Sequence, residues 1–141
     1  DTVIYSDGTL GDLLYTDGGV SSTKTAGCIK MNGNAVFKFA IEKMVESSTA
    51  LLRKNHIPVS KINYFIPHQA NIRIIDNVVA RMRISKECVI STIDQHANCS
   101  AASIPLAFHF AMQKGKFKEN DLILFTTVGA GLTWGSAIYR Y

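Results

Sequence analysis

The sequence is short of charge. Asp, Glu, Lys and Arg make up 18% of its 141 residues, while 47% are apolar. That balance excludes a disordered or fibrous chain and suits one domain with its own core. No apolar run is long enough to cross a bilayer, so no membrane partner is expected. No basic-then-apolar leader follows Asp1, and the chain is expected to be a soluble piece of something longer. Cysteine is scarce: Cys28, Cys88 and Cys99 are an odd number without paired spacing. This argues against a disulfide framework and for a reducing, cytoplasmic setting. There is no zinc-finger spacing, no other metal-ligand pattern and no aromatic–basic RNA motif, so nucleic acid ranks low as a partner. Internal repeats and low-complexity tracts are absent too.

The charge that is present is unevenly placed. Residues 1–17 carry four acids, Asp1, Asp7, Asp12 and Asp17, and no base. The rest hold 15 bases against 7 acids, a balance of +8. A positive surface of that size favours an acidic partner, and an acidic protein fits better than nucleic acid.

The chain opens on a strand, Thr2-Val3-Ile4-Tyr5, closed by the turn Ser6-Asp7-Gly8. Residues 9–32, rich in Gly, Ser and Thr, read as loop with one short strand. From Asn34, the apolar residues Val36, Phe37, Ala40, Ile41, Met44, Leu51 and Leu52 recur at helical spacing, and Pro58 stops that helix near Asn55. Ile62–Ile66 reads as a buried strand. A helix follows from Asn71 with Ile72, Ile75, Val79 and Met82 on one stripe. Cys88-Val89-Ile90 reads as another short strand, and Asp94–Ser100 as a polar loop. The next helix is rich in small residues (Ala101, Ala102, Ala107, Ala111), with Pro105 expected either in its first turn or at a kink, and Gly115 past its end. The alanines are expected to admit the backbone of another element at close range. Leu122–Val128 and Thr133–Tyr139 form a hairpin across Gly129-Ala130-Gly131-Leu132. The expected fold is α/β: a mixed sheet covered by helices on both faces, ending in a hairpin.

Three loops concentrate polar residues just after apolar strands, where α/β folds build their sites. They are Pro67-His68-Gln69-Ala70-Asn71, His96-Ala97-Asn98-Cys99-Ser100-Ala101-Ala102, and the glycine hairpin running into Thr133-Trp134-Gly135-Ser136. Each alone has a bland reading. A lone His after a strand is usually structural, an Asn before a helix usually caps it, and Gly-x-Gly between strands is usually a tight turn.

Together the loops resemble one family. Pro67-His68-Gln69-Ala70-Asn71-Ile72-Arg73 is similar to the histidine motif of the ketoacyl-carrier-protein synthase III condensing enzymes. His96-Ala97-Asn98-Cys99-Ser100-Ala101-Ala102-Ser103 is similar to their asparagine motif, usually His-Gly-Asn-Thr-Ser-Ala-Ala-Ser. Met31-Asn32-Gly33-Asn34-Ala35-Val36-Phe37-Lys38 resembles the opening of their long C-domain helix, and Gly129–Ala137 their terminal glycine loop. The resemblance runs over essentially all of residues 1–141 and implies a thiolase-like half-domain. The resemblance implies that this is the C-terminal half, and that the nucleophilic cysteine belongs to an N-terminal half outside residues 1–141.

The implied activity is acyl transfer: decarboxylative condensation of an acyl-coenzyme A starter with malonyl-acyl-carrier protein in the initiation of fatty-acid synthesis. The implied catalytic residues are His68 and Asn98. Asn34, Phe37, Ala70 and Asn71 would line a pantetheine tunnel, and Arg73 would meet the acyl carrier protein. Val128, Gly129, Ala130 and Gly131 would form an active-site loop. No cofactor is implied, and the intact enzyme is implied to be a homodimer. Charge on a thioester oxygen is best stabilised by preorganised neutral donors, which suits an imidazole N–H and an Asn amide. A helix N-terminus behind His68 is expected to keep the ring neutral. Ala130 stands where a third glycine is usual, and Val128 and Leu132 where phenylalanines are common. A specialised acyltransferase of secondary metabolism is therefore an alternative. So are a cysteine hydrolase using Cys99 with His68, and a non-catalytic carrier-protein-binding module with Arg81, Arg83 and Lys86 in its basic face.

Overall fold

The computed structural model describes residues 1–141. In chain order the elements are β1 (Thr2–Ser6), β2 (Leu14–Thr16), β3 (Ile29–Met31), α1 (Gly33–Lys54), β4 (Tyr64–Pro67), α2 (Ile72–Met82), α3 (Ile93–His96), α4 (Ser103–Gln113), β5 (Leu122–Gly129) and β6 (Thr133–Arg140). The main sheet has the order β1-β6-β5-β4. β4 runs parallel to β5 and the other pairs are antiparallel, so the sheet is mixed as expected.

The long helix starts where Asn32 caps it, its Oδ1 accepting the Ala35 N–H at 3.2 Å. It stops at Asn55, close to Pro58. Its buried residues Ala40, Ile41, Met44, Ser47, Ser48, Leu51 and Leu52 fall on one stripe. Helix α2 is capped by Asn71, whose Oδ1 accepts the Arg73 N–H at 2.9 Å. It buries Ile74, Ile75, Val78, Val79 and Met82. Ile72, expected on that stripe, is 48% exposed. It is the first residue of the helix and lies outside the arc that Ile75, Val79 and Met82 share with Ile74 and Val78.

Helices do lie on both faces of the sheet, but unequally. On one face α1 and α2 close a cluster of 14 buried apolar residues, Phe65 and Leu124 among them. On the other, α4 covers only the β4–β5 end, in a cluster of five: Ile66, Ile90, Ala107, Ala111 and Ile123. The strand period explains the division, since Ile123 and Leu124 are neighbours that point to opposite faces. Ala107 and Ala111 are fully buried against the sheet of this same chain. These two are therefore unavailable to an outside backbone, contrary to the expectation, whereas Ala101 and Ala102, in the turn before α4, stay exposed. What α4 leaves uncovered is the β1–β6 end of its face, where Ile4 is 75% exposed.

Two further readings need correction. Residues 9–32 hold a short hairpin, β2 with β3, rather than one strand. Each strand is only three residues long, too short for a pattern to show. Cys88–Ile90 is not a strand: a 3-10 turn ends at Cys88, and pairing to β4 reduces to one bridge, Val89 with Phe65.

A buried hydroxyl cluster pins α1 to β5 and β6. Ser136 Oγ lies 2.8 Å from Ser47 Oγ, 3.0 Å from Ser48 Oγ and 2.9 Å from Thr126 Oγ1. Thr126 also reaches the Met44 carbonyl at 3.3 Å. Each hydroxyl thus has a partner, which removes the penalty of burying it.

Candidate active site

His68 follows the last residue of β4. Its backbone N–H continues the parallel ladder, donating to the Thr126 carbonyl at 2.8 Å. The backbone therefore fixes where the side chain begins. The ring is fixed from across the sheet end: Nδ1 lies 2.6 Å from Ser103 Oγ, at the first residue of α4. Ser103 Oγ also accepts the Gln69 N–H at 3.2 Å. Burial is what lowers the His68 pKa from the ordinary 6.5, favouring the neutral ring. The neutrality agrees with the sequence reading, but desolvation is its cause, and the helix that bonds the ring is α4 through Ser103.

Gln69 is 1% exposed and ties three segments together. Its Oε1 accepts the Thr92 N–H at 3.2 Å and the Ser91 hydroxyl at 2.8 Å. Its Nε2 donates to the Pro67 carbonyl at 2.6 Å. The Thr92 N–H can only donate, so it fixes which way the amide faces. Neither Gln69 nor Ser103 has a role in the sequence reading. A signal was present for Ser103, which falls four and eight residues before Ala107 and Ala111 on one helix stripe. A hydroxyl on a buried stripe must find a partner.

His68 lines a cavity of about 660 Å³ at the open end of the α4 face. Of the glycine-loop residues, Val128 and Gly129 line it too; Ala130 and Gly131 lie at the hairpin tip outside it. Phe125, Ile104, Ser100 and the edge strand residues Thr2 and Ile4 complete much of the wall. The tip is latched to the start of the chain: Asp7 N–H donates to the Leu132 carbonyl at 2.9 Å, and Leu132 N–H to the Asp7 carbonyl at 3.0 Å. Gly131 has φ 137°, and a Cβ there would meet Thr133 Oγ1 at 2.8 Å, so this position requires glycine.

Asn98 is exposed, and its Oδ1 accepts the Ser100 N–H at 3.0 Å in a turn of its own. It does not cap α4, whose preceding residue Ala102 has no capping side chain. It lies outside the lining of the His68 cavity. Its amide nitrogen makes no bond within the chain.

The other expected binding residues gather at a different corner, the N-terminal ends of α1 and α2. Phe37 and Ala70 are part-buried against the larger cluster. The Arg73 guanidinium stands 5.4 Å from the Phe37 ring centre, a cation–π contact. Asn71 caps α2 there, and Asn34 is exposed in the first turn of α1. Cys99 makes no hydrogen bond to His68, whose Nδ1 faces Ser103.

Residues 52–141 match the family described as 3-oxoacyl-[acyl-carrier-protein (ACP)] synthase III C terminal. A beta-ketoacyl-[acyl-carrier-protein] synthase III of Ehrlichia ruminantium is 50% identical over 139 residues, covering 99% of this chain and 44% of the relative. The solved 3-oxoacyl-[acyl-carrier-protein] synthase III of Aquifex aeolicus is 41% identical with a TM-score of 0.92, over 99% of this chain and 43% of that one. That of Pseudomonas aeruginosa is 34% identical with a TM-score of 0.92, over 100% and 45%. The chain thus spans under half the length of the relatives it matches, and its fold is the C-terminal half of the thiolase type. By sequence and by fold, the chain belongs to the 3-oxoacyl-[acyl-carrier-protein] synthase III C-terminal family.

Proposed function

We propose that this chain supplies the decarboxylating half of a condensing site, in an enzyme that joins an acyl-coenzyme A starter to malonyl-acyl-carrier protein at the initiation of fatty-acid synthesis. The observation that carries the reading is His68: backbone-fixed, ring-anchored, neutral by burial, and set in the wall of the cavity. The nucleophilic cysteine comes from the other half of the enzyme, because this chain pairs none of its cysteines with His68.

Loss of carbon dioxide from the malonyl group sends the electron pair of the breaking bond toward the thioester carbonyl, giving an enolate. His68 and Asn98 donate to that oxygen as charge develops. The enolate carbon then attacks the acyl-cysteine thioester, and the cysteine leaves as thiolate. Asn98 reaches the oxygen through the amide nitrogen that has no bond within this chain, its Oδ1 being held by Ser100. The pantetheine arm runs past Phe37, Ala70, Asn71 and Asn34, and Arg73 meets the acidic carrier at the mouth, in line with the +8 balance of residues 18–141. The intact enzyme works as a cytoplasmic homodimer.

The test is carbon dioxide release from malonyl-carrier protein by the protein joined to its cysteine-bearing half. His68→Ala and Asn98→Ala should each slow decarboxylation about 100- to 1,000-fold, while loading of the cysteine survives in part. Near-normal decarboxylation in either variant removes that residue from the mechanism.

A further inference from the structure

We propose that Ser103 is a positioning residue that sets the tautomer of His68, donating its hydroxyl proton to Nδ1 so that the ring carries its own proton on Nε2. The bonds allow one consistent assignment. The Gln69 backbone nitrogen can only donate, so Ser103 Oγ accepts from it at 3.2 Å. Ser103 is 1% exposed, which denies its hydroxyl proton to water. The one remaining polar atom within reach is His68 Nδ1, at 2.6 Å. If Nδ1 carried the proton instead, two donors would point at one oxygen, and the serine proton would be buried without an acceptor. Leaving a buried donor unpaired is costly.

The fixed point of this chain is Gln69. Its side chain is clamped by Thr92, Ser91 and Pro67, so its backbone N–H is presented to Ser103 in a constant place. The direction of donation therefore runs from Gln69 N–H to Ser103 Oγ, then from Ser103 O–H to His68 Nδ1. Nε2–H remains, with no partner in the protein. The catalytic meaning of this arrangement rests on the function proposed above, since an Nε2–H donor is what a developing oxyanion needs. The tautomer itself does not depend on that function.

Long-range proton–nitrogen correlation spectra of the protein labelled with 15N-histidine read the tautomer directly. The His68 signals are identified by their loss in His68→Gln, which separates them from His56, His96 and His109. Expected is a neutral ring with bare, hydrogen-bonded Nδ1 and protonated Nε2. Ser103→Ala should shift Nδ1 and give mixed tautomers, and Ser103→Thr should restore the original pattern. Ser103→Cys, close in size and a weaker donor, gives the same reading should alanine impair folding. In turnover, Ser103→Ala should lower kcat for decarboxylation about tenfold or more with little change in KM. A misdirected oxyanion donor loses part of the 100- to 1,000-fold it is worth. A protonated Nδ1 in the parent protein, or an unchanged His68 spectrum in both the alanine and cysteine variants, overturns the proposal. The expected spectra with no decarboxylation by the joined parent enzyme would leave the tautomer standing and sink the function instead.

Discussion

The two faces of the sheet are built to different standards of closure. The α1–α2 face holds 14 buried apolar residues and a hydroxyl cluster in which Ser47, Ser48, Thr126 and Ser136 satisfy one another. The α4 face holds five buried apolar residues at one end and a cavity of about 660 Å³ at the other. Most of the buried apolar residues lie on the first face, and the cavity that His68 lines opens on the second. The closed face fixes β4 and β5 from behind, and their ends present His68 to the open side.

The largest effect that sharpens this contrast lies in the closed face. Phe65→Ala removes a fully buried ring from the larger cluster and should destabilise the protein by about 3–5 kcal/mol, measured by denaturant unfolding. On the open face Ile4→Ser, at a side chain 75% exposed, should stay within about 0.5 kcal/mol. Comparable losses at both positions would erase the distinction.

Next in size is the seam between the edge strand and the hairpin. A Cβ on Gly135 would stand 2.5 Å from the Val3 carbonyl oxygen. Gly135→Ala should therefore push β1 off β6 and expose the β1 amides to rapid hydrogen exchange, while β4 and β5 stay protected. Uniform loss of protection would mean that β1 is integral to the closed face.

Smaller again is the hydroxyl cluster. Thr126→Val leaves Ser136 with fewer partners and should cost about 1–3 kcal/mol, read from the unfolding midpoint. A neutral result would show that Ser47 and Ser48 suffice.

The smallest effect is on pH. Burial holds the folded His68 pKa below the ordinary 6.5, so the unfolded chain takes up its proton first. The stability contributed by keeping this ring neutral is present above 6.5 and is lost as pH falls through the lowered folded value. His68→Gln should flatten that part of the stability–pH curve. An unchanged slope would assign the acid sensitivity to other groups.

Much of the fold could be read from periodicity. Helix α1 was legible because seven apolar residues kept one face over five turns, and the β5–β6 hairpin because two apolar runs flank a glycine pair. The β2–β3 hairpin was not, since each of its strands has only three residues, too few for a period to show. Cys88–Ile90 misled because three apolar residues cannot distinguish a strand from a turn with one bridge. The site shows the same limit. His68 could be picked out as a polar residue at a strand end. Its partner Ser103 lies 35 residues away, and only the packing of α4 on the sheet brings the two together. Asn98 and His68 stand side by side in the motif argument, but the structure holds them by separate bonds.

The pairing of β1 with β6 also bears on how these residues fold. The Asp1 nitrogen donates to the Ile138 carbonyl at 3.1 Å across 137 positions, and the Ile138 N–H returns to the Asp1 carbonyl at 2.9 Å. Strand β1 thus waits for β6, and its pairing closes a loop through all the elements between them. Contacts of such separation form slowly because their entropy cost precedes their reward. The β5–β6 hairpin forms from neighbours, and β1 joins it as a late addition at the sheet's edge. Because β1 lines the cavity beside His68, the pocket wall is among the last parts of the molecule to be set.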